Sequence, residues 1–234
     1  MVPGERFVSD ARSALKQAAA VAAVRAEVRD GMRLGLGTGS TAFFVLEELA
    51  RRVREEGLRV SGVPTSRETA RLAHERGIAL TDLDGPLDVA IDGADEIGPR
   101  RALTKGGGGA MTREKCVALA ARRFVVVADV SKLVRRLSWP VPIEVLPFAE
   151  GLVLRALGER FAGAEPALRL REGTPFLTDN GNHIIDLGFR AARPHPAQLA
   201  RALKQMTGVV EHGLFVGMQP VVYVAGEAGV RVIG

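Results

Sequence analysis

Residues 104–115 read TKGGGGAMTREK, with a lysine directly before four glycines and a glutamate one short stretch beyond them. A carboxylate beside a pocket is a candidate general base. The compact ammonium of Lys105 can face a developing oxyanion, and the N–H groups of Gly106, Gly107 and Gly108 can supplement it. Ordering a glycine inside a regular element costs roughly 0.5–1 kcal/mol more than ordering an alanine, so four in a row need a reason. One reading is a flexible surface loop; the other is close approach of the backbone to a ligand. A flexible loop would mix in Ser, Asn or Asp, which this run lacks. Thr112 is placed to cap a following helix, which puts Glu114 in the first turn, where the positive helix end favours a carboxylate.

Two further stretches carry chemistry. GLGTGST (35–41) offers glycines, the hydroxyls of Thr38, Ser40 and Thr41, and the free N–H groups of a helix start. That combination suits a phosphate. Its spacing is G-x-G-x-G, so it is neither a dinucleotide fingerprint nor a P-loop; an ordinary strand-to-helix turn is the plain alternative. IDGADEI (91–97) places Asp92, Asp95 and Glu96 after an apolar run. These carboxylates can hold a polar substrate, cap an acidic turn, or bind magnesium. The other loops offer Lys, Ser, Thr and Gly rather than more carboxylates, which ranks the metal last.

Arginine is the habitual cation here, and lysine occurs only at 16, 105, 115, 132 and 204. A lysine kept among arginines points to a need for a compact ammonium, which singles out Lys105 and Lys132. The histidines at 74, 183, 195 and 212 have no metal-ligand spacing, and Cys116, in an apolar helix, reads as a packed thiol.

The elements that must position these groups follow from periodicity. Helices are predicted over 9–29 (capped by Ser9 or Asp10), 41–56, 66–76 and 112–122, and strands over 32–37, 58–63, 78–80, 87–92 and 123–129. Such alternation predicts a doubly wound, mostly parallel α/β sheet with ligands at the carboxyl edge of its strands. The rhythm breaks at WPVPIEVLPFA (139–149). A helix (148–162), the stretch ALRLRE (167–172), an Asn-Gly hairpin signal within FLTDNGNHIIDLG (176–188), a helix (196–207) and GVVEHGLF (208–215) then make a smaller α+β unit. The apolar VVYVAG (221–226) is expected to rejoin the first sheet. The domains expected are 1–141 plus 217–234, with 142–216 inserted.

Composition narrows the function classes. With 47% hydrophobic but 5% aromatic residues, the core must be aliphatic. No apolar run reaches the ~18 residues of a membrane span, no signal pattern opens the chain, and a single cysteine allows no internal disulfide, so a cytoplasmic protein is expected. The net charge of +5 comes from 32 basic residues dispersed among 27 acidic ones. Dispersed arginines and few aromatics argue against nucleic acid as a partner.

GTGSTA (37–42), DGADE (92–96), KGGGGAMTREK (105–115), ADVSK (128–132) and GVVEHGLFVG (208–217), in this order and spacing, resemble the ribose-5-phosphate isomerases of the A type over nearly the whole chain. The resemblance implies a Rossmann-like domain with a smaller α+β insertion, interconversion of ribose 5-phosphate and ribulose 5-phosphate through an enediolate without metal or organic cofactor, a place in the pentose phosphate pathway, and a homodimer or homotetramer. It implies Glu114 as base, Lys105 with Gly106, Gly107 and Gly108 as the oxyanion set, Asp92 in ring opening and Asp95 on sugar hydroxyls. Lys16, Thr38, Gly39, Ser40, Thr41 and Lys132 fall on substrate- and phosphate-binding positions. Two departures stand out: Gly109 where the family pattern has alanine, and ADVSK for ADSSK. A non-catalytic sugar-phosphate sensor of similar fold is the rival reading, but it would need a helix-turn-helix segment for which this frame has no room.

Overall fold

The computed structural model describes residues 11–190 and 193–234, so the expected caps Ser9 and Asp10 lie outside the described residues. The chain divides into two compact units: Met1–Ala94, Cys116–Leu133 and Gln219–Gly234 form one, and Asp95–Lys115 with Val134–Met218 the other.

The first unit is built on a seven-stranded sheet. From edge to edge its strands are Gly229–Ile233, Val221–Gly226, Ala121–Asp129, Leu87–Asp92, Arg33–Leu36, Ser61–Pro64 and Ala79–Leu80. All pair in parallel except the last strand of the chain, which runs antiparallel to Val221–Gly226. A parallel sheet covered on both faces needs strands apolar on both faces, and residues 124–129 are all buried. Helices α1 (Ala11–Glu27), α2 (Ser40–Glu56) and α3 (Arg67–Glu75) accompany it. Ala19, Ala20, Ala23 and Val24 of α1 and Val45, Leu46 and Leu49 of α2 pack into one aliphatic core with Leu34, Leu36, Ile91, Val125 and Val127. Ser66 caps α3 by accepting the Thr69 N–H at 3.0 Å.

The second unit carries a four-stranded antiparallel sheet ordered Val209–His212, Val141–Val145, His183–Phe189, Ala164–Leu168. Helices α5 (Glu150–Arg160) and α6 (Pro196–Lys204) contribute Val153, Leu157, Leu199 and Leu203 to a core with Val141, Ile143, Val145, Ile185 and Leu187. A three-stranded sheet (Leu214–Phe215, Leu103–Thr104, Glu96–Ile97) and a two-stranded ladder (Leu170–Arg171 with Thr174–Pro175) complete it. Between them in sequence α4 (Met111–Ala120) leads straight into strand Ala121–Asp129.

Several boundaries differ from the periodicity. Compactness assigns 95–115 and 134–141 to the second unit, because Glu96–Ile97 and Leu103–Thr104 find their ladder partners there rather than in the long sheet. The Asn180-Gly181 pair does turn the chain, with Gly181 at φ +78° and its N–H on Thr178 O at 2.9 Å. It does not join two strands of a hairpin: His183–Phe189 pairs with Val141–Val145 and Ala164–Leu168 instead. The turn is folded around a buried carboxylate. Glu144 Oε1 accepts from Thr178 Oγ1, Asn180 Nδ2 and Asn182 Nδ2 at 2.9, 3.0 and 2.8 Å, satisfying a charge that is fully enclosed.

Candidate active site

In the first unit, the predicted residues gather after three adjacent parallel strands. Arg33–Leu36, Leu87–Asp92 and Ala121–Asp129 are neighbours in the sheet, so the loops that leave them share one edge. The first loop carries Thr38, Gly39, Ser40 and Thr41. Gly39 stands before α2 at φ +98°, and Ser40 begins the helix. Lys16, from α1, donates to Ser40 Oγ at 2.9 Å. The second loop begins at the buried Asp92, whose Oδ1 accepts the Thr38 N–H at 3.2 Å and the Gly93 N–H at 2.7 Å. Gly37 makes this possible: a Cβ there would lie 2.2 Å from Asp92 Oδ1. The Thr38 hydroxyl meets those of Thr65 at 2.7 Å and Thr69 at 3.3 Å. Lys132 ends the short turn Val130–Lys132 on the third loop, whose Ser131 N–H is taken by Asp129 Oδ1 at 2.9 Å.

In the second unit, the glycine run joins strand Leu103–Thr104 to α4. Lys105 and Glu114 are both buried, at 3% and 6% side-chain exposure, with Lys105 Nζ 3.2 Å from Glu114 Oε2. Lys105 Nζ also lies 5.5 Å from the centre of the Phe215 ring. The backbone of Lys105 is fixed through its N–H on Gly213 O at 2.8 Å. Asp95 Oδ2 accepts the Gly107 N–H at 2.8 Å, so this amide, expected in the oxyanion set, is engaged by the carboxylate. The carbonyls of Gly106 and Gly107 accept from Arg169 Nη1 at 2.9 and 3.1 Å. Gly107 and Gly108 are exposed, whereas Gly106 and Gly109 are buried. Gly109, unexplained by the sequence, sits at φ +84°, and a Cβ there would come within 2.5 Å of the Phe176 ring.

Two local expectations change. Thr112 is not the cap of α4 but its second residue, and its hydroxyl donates to Glu144 Oε2. Glu114 nonetheless lies in the first turn, its N–H on Ala110 O at 3.0 Å. Cys116 is exposed rather than packed, because the helix turns Glu114, Lys115, Val117 and Ala118 inward instead. Among the described residues, no group of three or more His, Cys, Asp or Glu is placed to hold a metal ion, and no helix is long and apolar enough to cross a membrane.

The sequence reading also passed over a polar cluster beside this pair. Lys115 Nζ donates to Glu211 Oε1 at 2.7 Å and to His212 O at 2.6 Å, and lies 4.9 Å from the Phe215 ring centre. Burial would raise the Glu211 carboxyl, but the charges and hydrogen bonds of Lys115 and Lys204 outweigh it and hold the pKa at about 2. His212 is held neutral, its pKa lowered to about 4 by burial first and by the Lys115 charge second. Its Nδ1 accepts the Leu214 N–H at 3.3 Å, which leaves the proton on Nε2. An unfolded histidine titrates near 6.5, so between pH 6.5 and about 4 the unfolded chain binds more protons than the folded one. Stability contributed by neutral His212 is therefore complete above pH 6.5 and lost as pH falls toward 4, by about 3 kcal/mol. Denaturant melts across this range should show that slope, and His212→Asn, which keeps an acceptor but cannot titrate, should flatten it.

The sequence profile of ribose 5-phosphate isomerase A (phosphoriboisomerase A) matches residues 61–229. The ribose-5-phosphate isomerase A of Rhodopseudomonas palustris is 50% identical over 227 residues, covering 94% of this chain and 97% of that protein. The solved ribose 5-phosphate isomerase A of Methanocaldococcus jannaschii is 43% identical and superposes with a TM-score of 0.88, covering 94% of this chain and 98% of that one. A D-ribose-5-phosphate isomerase solved in complex with phospho-erythronic acid is 36% identical with a TM-score of 0.90, covering 96% and 99%. This agreement in sequence and in fold, along nearly the full length, places the chain in the ribose 5-phosphate isomerase A family.

Proposed function

We propose that this protein interconverts ribose 5-phosphate and ribulose 5-phosphate, with Glu114 as the acid–base group. The observation that carries the reading is the buried Lys105–Glu114 pair, 3.2 Å apart, with Lys105 directly before the glycine run and Glu114 in the first turn of the helix after it. An aldose–ketose isomerisation needs one base able to serve two adjacent carbons, a cation for the intermediate and an anchor for the phosphate.

The roles divide by chemistry. Asp92 assists opening of the furanose ring. Glu114 removes the proton from C2 of the open-chain aldose, and the electron pair forms the C1–C2 double bond while the C1 oxygen becomes anionic. Lys105 opposes that charge, with the loop amides other than that of Gly107, which Asp95 takes, in support. The C2 hydroxyl proton passes to the C1 oxygen, Glu114 returns its proton to C1, and the C2 oxygen becomes the ketose carbonyl. Asp95 holds sugar hydroxyls. Lys16, Thr38, Gly39, Ser40 and Thr41 bind the phosphate, with Lys132 as a further substrate contact. Remote phosphate binding fixes the reacting carbons against the base, the way binding energy is commonly used. No step calls for a metal.

The test is direct. Purified protein should convert ribose 5-phosphate to ribulose 5-phosphate in the presence of excess chelator. Absence of turnover, or its abolition by chelation alone, overturns the proposal. The proposed homodimer or homotetramer is to be read from its mass in solution, and its place in the cytoplasmic pentose phosphate pathway from the metabolites that accumulate in a cell lacking it.

A further inference from the structure

We propose that Arg169 is a positioning residue of the reaction, setting the direction in which the glycine loop presents its amides. The inference rests on the isomerase reading given above. Arg169 is a largely buried side chain, 16% exposed. Its fork is held by Asp186, with Nε on Oδ2 at 2.8 Å and Nη2 on Oδ1 at 2.5 Å. The remaining nitrogen, Nη1, grips two successive carbonyls of the loop, Gly106 O at 2.9 Å and Gly107 O at 3.1 Å. Its guanidinium lies 5.9 Å from the centre of the Phe176 ring, the same ring that fills the space beside Gly109.

The consequence follows from peptide geometry. In a trans peptide plane the C=O and the next N–H point in opposite directions. The carbonyl of Gly106 shares a plane with the N–H of Gly107, and the carbonyl of Gly107 shares one with the N–H of Gly108. Drawing both carbonyls onto Arg169 therefore turns both amides the other way. The Gly107 N–H bears this out, meeting Asp95 Oδ2 at 2.8 Å. Gly106 O also accepts the Gly109 N–H at 3.0 Å, so the swing the clamp prevents is chiefly that of the Gly107 carbonyl, which in a glycine, freer in backbone conformation than any other residue, could set a negative dipole end against the enediolate oxygen. A lysine offers a point charge in place of the fork and cannot hold Asp186 and two carbonyls at once.

The experiment compares two inhibitors on wild type, Arg169→Met and Asp186→Asn. Phospho-erythronic acid carries a carboxylate that imitates the anionic end of the intermediate. Ribitol 5-phosphate carries the phosphate and hydroxyls without that charge. In Arg169→Met, kcat for ribose 5-phosphate should fall about 10–100-fold, with inhibition by phospho-erythronic acid weakened by a similar factor. Inhibition by ribitol 5-phosphate and the KM should stay within about threefold. A kcat within twofold of wild type overturns the inference, as does equal weakening of both inhibitors, which would mark a merely structural role. If Arg169→Met does not fold, Asp186→Asn is read by the same contrast: selective loss of the acid supports the inference, and unselective or absent loss overturns it. Failure of the wild type to turn over ribose 5-phosphate would instead sink the isomerase reading and this inference with it.

Discussion

Glu114→Gln should lower kcat by about 10²–10⁴-fold, the usual contribution of a positioned acid–base group, while KM changes little. Glutamine preserves the length and an acceptor oxygen for Lys105, so the packing of a side chain only 6% exposed has little reason to change. What it loses is the ability to take a proton. The substitution leaves the residues proposed to anchor the phosphate untouched, so binding should survive where turnover does not. Two measurements check this together: the rate of ribulose 5-phosphate formation, and the affinity for ribose 5-phosphate by calorimetry. Exchange of substrate hydrogen with solvent deuterium should fall with the rate. A variant that retained a tenth or more of wild-type turnover would mean that the base lies elsewhere.

Lys105→Met should have the second largest effect, with a loss of about 10²–10³ in kcat if the ammonium faces the enediolate as an oxyanion donor does. Here a stability effect is expected as well. Removing one partner of a buried ion pair leaves the other charge uncompensated, at a cost of about 3–5 kcal/mol. The two effects can be separated. Adding Glu114→Gln to Lys105→Met removes the stranded charge, so the double variant should regain much of the denaturant midpoint while remaining inactive. A single Lys105→Met variant that is fully stable and active would remove Lys105 from the mechanism; recovery of activity in the double variant would do the same for both residues.

Much of the first unit was legible because its strands are short, apolar and regularly spaced. The predicted strands 87–92 and 221–226 are found at those limits, and the second rejoins the long sheet beside Ala121–Asp129 as expected. Errors arose where tertiary partners decided the outcome. Thr112 has the right chemistry for a cap, but the buried carboxylate of Glu144 claims its hydroxyl. The Asn-Gly pair predicts a hairpin, but Asn180 and Asn182 serve the same carboxylate. The strand Gly229–Ile233 escaped notice because the Val230-Arg231-Val232 alternation is too short to mark a strand by itself, and its place is decided by pairing with Val221–Gly226. At the candidate site, residue types and spacing pointed to Lys105 and Glu114, but no local pattern could reveal Arg169, whose carbonyl partners lie some sixty positions earlier in the chain. Gly109 was equally opaque, since its reason is the Phe176 ring.

The long sheet closes on a strand from the end of the chain: Val221 pairs with Val125, and the final strand adds outside it. During synthesis this edge cannot form until residues 221–233 have left the ribosome. The strands of the four-stranded antiparallel sheet, all within 141–212, emerge earlier and can pair first. Contacts this far apart in sequence slow folding, since loop closure must precede their reward. Until then, strand Ala121–Asp129 has an open apolar edge of the kind that invites association between nascent chains. The growing chain is therefore most vulnerable in the interval before residues 221–233 appear.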